Sequence, residues 1–128
     1  MVVCESEKVL YRAAISNGRH EISVDTTEEQ GGGASAMRPH ELLEAALASC
    51  LNMTIRIYAD KNSIPLTRVI TKVSVDRTQP GKTTFNYSFS FEGTLAEEQR
   101  EELNKIAGQC AVRETLSKTI SFVRTDVG

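Results

Sequence analysis

Two residues of this chain carry the chemistry of reactive thiols, Cys50 and Cys110, and one more cysteine, Cys4, lies near the start. Three is an odd count and does not describe a structural disulfide framework. The opening MVVCESEKVL lacks the basic and then apolar stretches of a secretory leader, so the expected location is the cytoplasm. Thiols are normally reduced there, and any disulfide would be transient and chemical. Two cysteines 60 residues apart in an otherwise cysteine-poor chain suit a pair in which one thiolate attacks an oxidant and the other resolves the sulfenic acid as a disulfide. Packing is the competing account of Cys50, because free cysteine often acts as a small hydrophobe. Cys4 is expected to be idle in a frayed terminus.

A thiolate needs a cation, since burial raises a thiol's pKa. The candidates are Arg19 at the first hairpin, Arg38 just before the long helix, and Arg12 on the first strand. His40 precedes Cys50 by ten residues, which on a helix is about 80° of rotation and about 15 Å along the axis. It would reach Cys50 only through an intermediary or from a second subunit. Other chemistries fail on residue type. His40-Glu41-Leu42-Leu43-Glu44 has Glu44 where a zinc protease needs its second histidine, and His20 is the only other histidine, so no metal is expected. Gly81-Lys82-Thr83 lacks the first glycine of a phosphate loop, and no GxSxG occurs.

The element that must position Cys50 is residues 37–62, MRPHELLEAALASCLNMTIRIYADKN. Pro39 suits a first helical turn, and Glu41 and Glu44 sit where the helix dipole favours negative charge. Leu42, Leu43, Leu47, Leu51, Met53, Ile55 and Ile57 cover much more than one stripe, so the helix wants burial on nearly every side. Ser49, Asn52, Thr54 and Arg56 interrupt the apolar run, which excludes a membrane span. Ahead of it, residues 8–15 and 19–25 flank Ser16-Asn17-Gly18 and read as a hairpin. Residues 26–36, TTEEQGGGASA, read as a mobile glycine-rich loop that delivers the chain to the helix.

After the helix, residues 68–77 place Val69, Thr71, Val73 and Val75 on one face, and residues 84–92 alternate Phe85, Tyr87, Phe89 and Phe91 with polar residues. This second hairpin is the expected floor of the core. Thr94 and Glu97 stand at capping-box spacing ahead of a helix ended by Gly108, and Val112 and Leu116 share a face of the next helix. The element order β-β-α-β-β-α-α-β is α+β. With 15 basic and 17 acidic residues the net charge of -2 argues against nucleic acid and anionic membranes as partners. One small sheet and two short helices do not cover a helix that is apolar all round, which predicts a homodimer sharing the long helices.

These residues resemble the OsmC/Ohr superfamily of osmotically inducible and organic hydroperoxide resistance proteins. The resemblance runs from Pro39-His40-Glu41-Leu42-Leu43 through Ala45-Ala46-Leu47-Ala48-Ser49 to Cys50, then Met53 to Ala59, Phe91-Glu92-Gly93-Thr94-Leu95, and Cys110-Ala111-Val112 with Thr115-Leu116. It implies an OsmC/Ohr-like fold of antiparallel hairpins wrapping a buried central helix, an intertwined dimer, and active sites at the subunit interface. It also implies a thiol peroxidase in which Cys50 attacks organic hydroperoxides and Cys110 closes the disulfide. No cofactor is implied beyond a dithiol reductant such as a lipoyl group. The hydroperoxide branch carries an arginine-paired glutamate directly after the helix-starting proline. Here that position is His40, with Glu41 one residue later, and Arg19 or Arg38 corresponds to the arginine. Ala111 replaces a usual proline and Arg113 a common histidine, which points to the OsmC-like branch.

The chain is thus expected to form one domain over residues 1–128. Its parts are an N-terminal hairpin at about 8–25, the long helix at about 39–61, a second hairpin at about 68–92, C-terminal helices at about 95–118 and a last strand at about 119–124. The expected activity is reduction of apolar hydroperoxides, alkyl or fatty-acyl in preference to hydrogen peroxide, with Cys50, Cys110, Arg19, Arg38, His40 and Glu41 as site residues. A non-catalytic small-molecule-binding or structural dimer is the alternative. Cysteine-dependent hydrolysis with His40 as base is a third.

Overall fold

Pro39 and Lys61 bound the longest helix, α1 (Pro39–Lys61), at the ends that proline and the Asp60-Lys61-Asn62 stop signal predict. The computed structural model describes residues 1–126. Their contacts divide the chain into two compact units, Met1–Ala45 and the remainder from Ala46 on.

The first unit is built on an antiparallel meander of β1 (Val3–Ser6), β2 (Ala13–Ser16) and β3 (Glu21–Val24), with Cys4 opposite Ile15 and Ile15 opposite Ile22. The Asn17 side chain accepts from the N–H groups of Arg19 and His20 and closes the β2–β3 turn. Two readings of this region change. The strand begins at Ala13 rather than at residue 8, because Tyr11 takes a φ of 69° and the Arg12 N–H donates to the Val9 carbonyl, which closes a turn there. That turn lets the opening residues fold back as β1, so Cys4 lies in a paired strand and not in a frayed end.

The glycine-rich segment is also more than a spacer. Asp25, buried at the end of β3, accepts from the Ser35 hydroxyl and N–H and from the Thr26 N–H. The Arg12 guanidinium in turn donates to Ser35 and Ser23 and pairs with Glu7. Gly32 is required for this closure: a Cβ there would lie 2.5 Å from the Thr26 carbonyl oxygen. A buried carboxylate without donors would be costly, and here backbone and hydroxyl donors satisfy it and tie the loop shut.

In the second unit, α1 buries Leu47, Leu51, Ile55 and Ala59 at intervals of four residues. Its opposite side stays open, with Met53 62% and Ile57 53% exposed, so the expected burial on nearly every side is not met within the chain. β4 (Leu66–Asp76) and β5 (Thr84–Gly93) form the second hairpin in the predicted alternation, with Val69 opposite Phe91 and Thr71 opposite Phe89. Val69, Phe89 and Phe91 pack on Ile55, Ala59, Ile64, Leu66, Leu103 and Ala107. Val73 and Phe85 pack on Leu47, Leu51 and Cys110. Each fully buried leucine or isoleucine in these clusters contributes about 2 kcal/mol.

The polar residues that interrupt α1 fasten it to this hairpin. The Asn52 amide donates to the Val69 carbonyl, Arg56 to the Leu66 carbonyl, and the Thr71 hydroxyl to the Ala48 carbonyl. α2 (Glu97–Ile106) starts after Ala96 rather than at Thr94, with the Gln99 side chain accepting from the Ala96 N–H. A 3-10 turn, Ala107–Gln109, follows, and Cys110 leads into α3 (Ala111–Ser117). The expected strand at 119–124 is absent. A strand exists by pairing, none of the described strands lies beside this segment, and Phe122 is 95% exposed.

Candidate active site

Cys50 sits in mid-helix on α1, half-buried, and its side chain packs on the cluster that contains fully buried Cys110. All three cysteines are free thiols. Burial alone would push the Cys50 thiol up. Donation from the Cys110 thiol, from the Val112 N–H, from the Thr54 hydroxyl and from the Ala111 N–H outweighs it, and the Cys50 pKa falls below the ordinary thiol value. Ala111 and Val112 open α3, so their N–H groups have no partner inside that helix and are available to a sulfur. Thr54 has one proton, and its Oγ1 stands 2.7 Å from the Cys50 carbonyl oxygen, so it serves the sulfur only by leaving that bond.

Cys110 moves the other way. Burial raises it, its hydrogen bond to Cys50 raises it further, and the N–H groups of Arg113 and Val112 offset this only in part. The pair is therefore polarised, with Cys50 the sulfur that gives up its proton more readily and Cys110 the thiol that donates to it. The thiolate, not the thiol, is the nucleophile.

The remaining candidates lie in the first unit. Arg38 pairs with Glu41 within one turn at the start of α1. Hydrogen bonding and charge from Glu41 raise the Arg38 pKa, and the same contact lowers that of Glu41. His40 is exposed beside them. Arg19 lies in the β2–β3 turn, and Arg12 is committed to Glu7, Ser23 and Ser35. The structure thus brings Cys50 together with Cys110, and Arg38 with Glu41. Among the described residues no cluster of histidine, cysteine and acidic side chains could hold a metal ion, and no helix is long and apolar enough to cross a membrane.

Sequence reasoning missed Thr54, which was findable because it follows Cys50 by one helical turn. Unpaired N–H groups at the start of the helix after Cys110 are expected from the sequence, to favour a thiolate or a partner cysteine; that Ala111 and Val112 supply them to Cys50 depends on where α3 starts. Asp25 left no signal beyond an acid at the end of a strand.

The fold and the paired thiols define a cysteine-centred α+β protein. The chain belongs to the OsmC-like protein family, whose sequence model matches residues 31–123, and so to the OsmC/Ohr superfamily. No curated protein sequence matches it. Among solved structures, a candidate osmotic stress-induced and detoxification response protein from Psychrobacter arcticus is 20% identical, with a TM-score of 0.74 over 89% of this chain and 85% of that one. An OsmC-like protein from Mycoplasma pneumoniae is 18% identical, with a TM-score of 0.74 over 91% and 85%. An organic hydroperoxide resistance protein OsmC from Legionella pneumophila is 21% identical, with a TM-score of 0.64 over 91% and 88%. These likenesses establish the OsmC/Ohr fold.

Proposed function

We propose that this protein is a thiol-dependent peroxidase that reduces organic hydroperoxides through Cys50 and Cys110. The observation that carries the reading is the packing of Cys50 against the buried cluster that holds Cys110, at the start of α3. The lowered Cys50 and raised Cys110 thiols agree with one serving as nucleophile and the other as proton donor. The Cys50 thiolate attacks the distal oxygen of the hydroperoxide and the O–O bond breaks. The alkoxide takes a proton and leaves as the alcohol, with Cys50 oxidised to the sulfenic acid. The Cys110 thiol then attacks that sulfur, water leaves, and a disulfide remains. A dithiol such as a lipoyl group supplies the two electrons and two protons that restore both thiols.

The cation that the chemistry asks for is assigned to Arg38 of a second copy, held by Glu41. On its own chain Arg38 precedes Cys50 by twelve residues, about 18 Å of helix. Arg19 is second and His40 a bystander. Both units are read as one OsmC-like domain, since the family match begins inside the first unit at residue 31 and runs through the second, and the similar solved structures cover 89% and 91% of the chain. A homodimer is part of the proposal. Met53 and Ile57 on α1 and Ile120, Phe122 and Val123 after α3 leave apolar surface that a second copy would bury. The cytoplasm, which keeps thiols reduced, is its proposed location.

The test is consumption of cumene hydroperoxide with a dithiol reductant by wild type, Cys50→Ser, Cys110→Ser and Arg38→Ala. Cys50→Ser abolishes turnover. Cys110→Ser stops after one turnover with a sulfenic acid that dimedone traps. Arg38→Ala lowers kcat/KM by about 10²-fold. A wild type with no turnover and no sulfenic acid at Cys50 sinks the reading. Sedimentation of the wild type as a monomer at micromolar concentration removes the dimer from it.

A further inference from the structure

The second unit carries a cavity of about 210 Å³ whose lining includes Leu47, Phe85, Tyr87, Leu116 and Arg113. Neither cysteine lines it, but Leu47 and Phe85 also belong to the cluster that holds Cys110 and packs on Cys50, so two of its wall residues are shared with the cysteine pair. Arg113 directly follows Val112, whose N–H serves the Cys50 sulfur. Its guanidinium donates to the Gly108 carbonyl at 3.2 Å and makes no ion pair among the described residues. A guanidinium presents five N–H donors in a planar fork, so most of this one is left for a planar anion.

An apolar wall beside a nucleophilic thiol, with an uncommitted cation in the same lining, matches one kind of molecule: an alkyl chain that bears both the reacting group and a carboxylate. The volume falls below the roughly 300 Å³ of ordinary small-molecule sites, which favours a flexible chain over a ring system. We infer that Arg113 selects hydroperoxides carrying a carboxylate head group, pairing with it in a fork while the alkyl part lies on Leu47, Phe85 and Leu116. This rests on the peroxidase reading above and adds the charge of the substrate to it.

The experiment compares a medium-chain hydroperoxy carboxylic acid with its methyl ester, in wild type, Arg113→Gln and Arg113→Lys, with tert-butyl hydroperoxide as a third substrate of the wild type. The wild type is expected to prefer the acid by about fivefold in kcat/KM, carried by KM, as suits an ion pair at an exposed side chain. Arg113→Gln brings the ratio to about one, and Arg113→Lys keeps part of it. If the wild type consumes all three substrates with no preference for the acid, the inference is overturned and the peroxidase reading stands. If it consumes none, that reading falls, and calorimetry of decanoate against decanol decides the inference alone. Decanoate bound about fivefold tighter by wild type, but not by Arg113→Gln, sustains it. Equal binding of the two by wild type overturns it.

Discussion

The Cys110 thiol donates its hydrogen bond to the Cys50 sulfur, and the two side chains titrate on opposite sides of the ordinary thiol value. Removing that donor with Cys110→Ala raises the Cys50 pKa, because burial is then opposed only by the α3 amides and Thr54. Cys110→Ser, which keeps a hydroxyl, raises it less. Thr54→Val also raises it less, since the Thr54 proton is held at the Cys50 carbonyl. The pH dependence of alkylation by iodoacetamide reads the midpoint directly. An unchanged midpoint in Cys110→Ala means that this hydrogen bond does not hold the thiolate.

Asp25 predicts an acid-labile first unit. The Ser35 hydroxyl and N–H, then the Thr26 N–H, hold its carboxyl down at about 2 against burial, from an ordinary 3.8. A depressed carboxyl contributes stability that is fully present above the unfolded value. That contribution is lost as pH falls from about 3.8 through about 2. Asp25→Asn is therefore less stable than wild type at neutral pH, and the gap in Tm between them closes as pH falls through this window. A gap that stays constant down to pH 2 would show that the charge of Asp25 is irrelevant to the loop.

Why Asp25 was invisible and α1 was not is a matter of range. Pro39, the apolar spacing of Leu47, Leu51 and Ile55, and the polar stop before Pro65 are local signals, and they placed the helix at its observed ends. The alternation of Phe85, Phe89 and Phe91 placed β5 in the same way, although Tyr87 is left partly open. Asp25 takes its meaning from Ser35, ten residues away across a loop that looked like linker, and Cys50 from amides 61 and 62 residues downstream. Pairing decides the segment at 119–124: Ile120 and Phe122 alternate as a strand should, but a strand without a neighbour is only extended chain.

At Gly93 the sequence could read only a turn before a helix, whereas the structure makes the residue indispensable. Its φ is 144°, and a Cβ there would lie 2.4 Å from the Pro65 carbonyl oxygen and 3.1 Å from the Thr67 nitrogen, both rigid backbone at the start of β4. Gly93→Ala is expected to cost about 2 kcal/mol from the backbone conformation, with the clash in addition. Urea denaturation followed by circular dichroism measures it, and a cost under about 0.5 kcal/mol, the range of an ordinary surface change, contradicts the geometry.

Leu51 joins stability to the site. It is fully buried on the turn of α1 that carries Cys50, and it packs in the same cluster as Cys110. Leu51→Ala removes that wall and leaves a cavity, at a cost of about 3 kcal/mol. The backbone donors of α3 remain, so the fold survives if the total stability lies in the usual range of roughly 5 to 15 kcal/mol. Cys110, however, loses the side chain against which it is seated and is free to turn from Cys50. The expected outcome is a paired loss, in which urea stability falls and the Cys50 alkylation midpoint rises toward that of Cys110→Ala. Leu51→Met, which keeps the volume, should restore both together. Recovery of stability without recovery of the midpoint would separate the packing of Cys110 from its hydrogen bond.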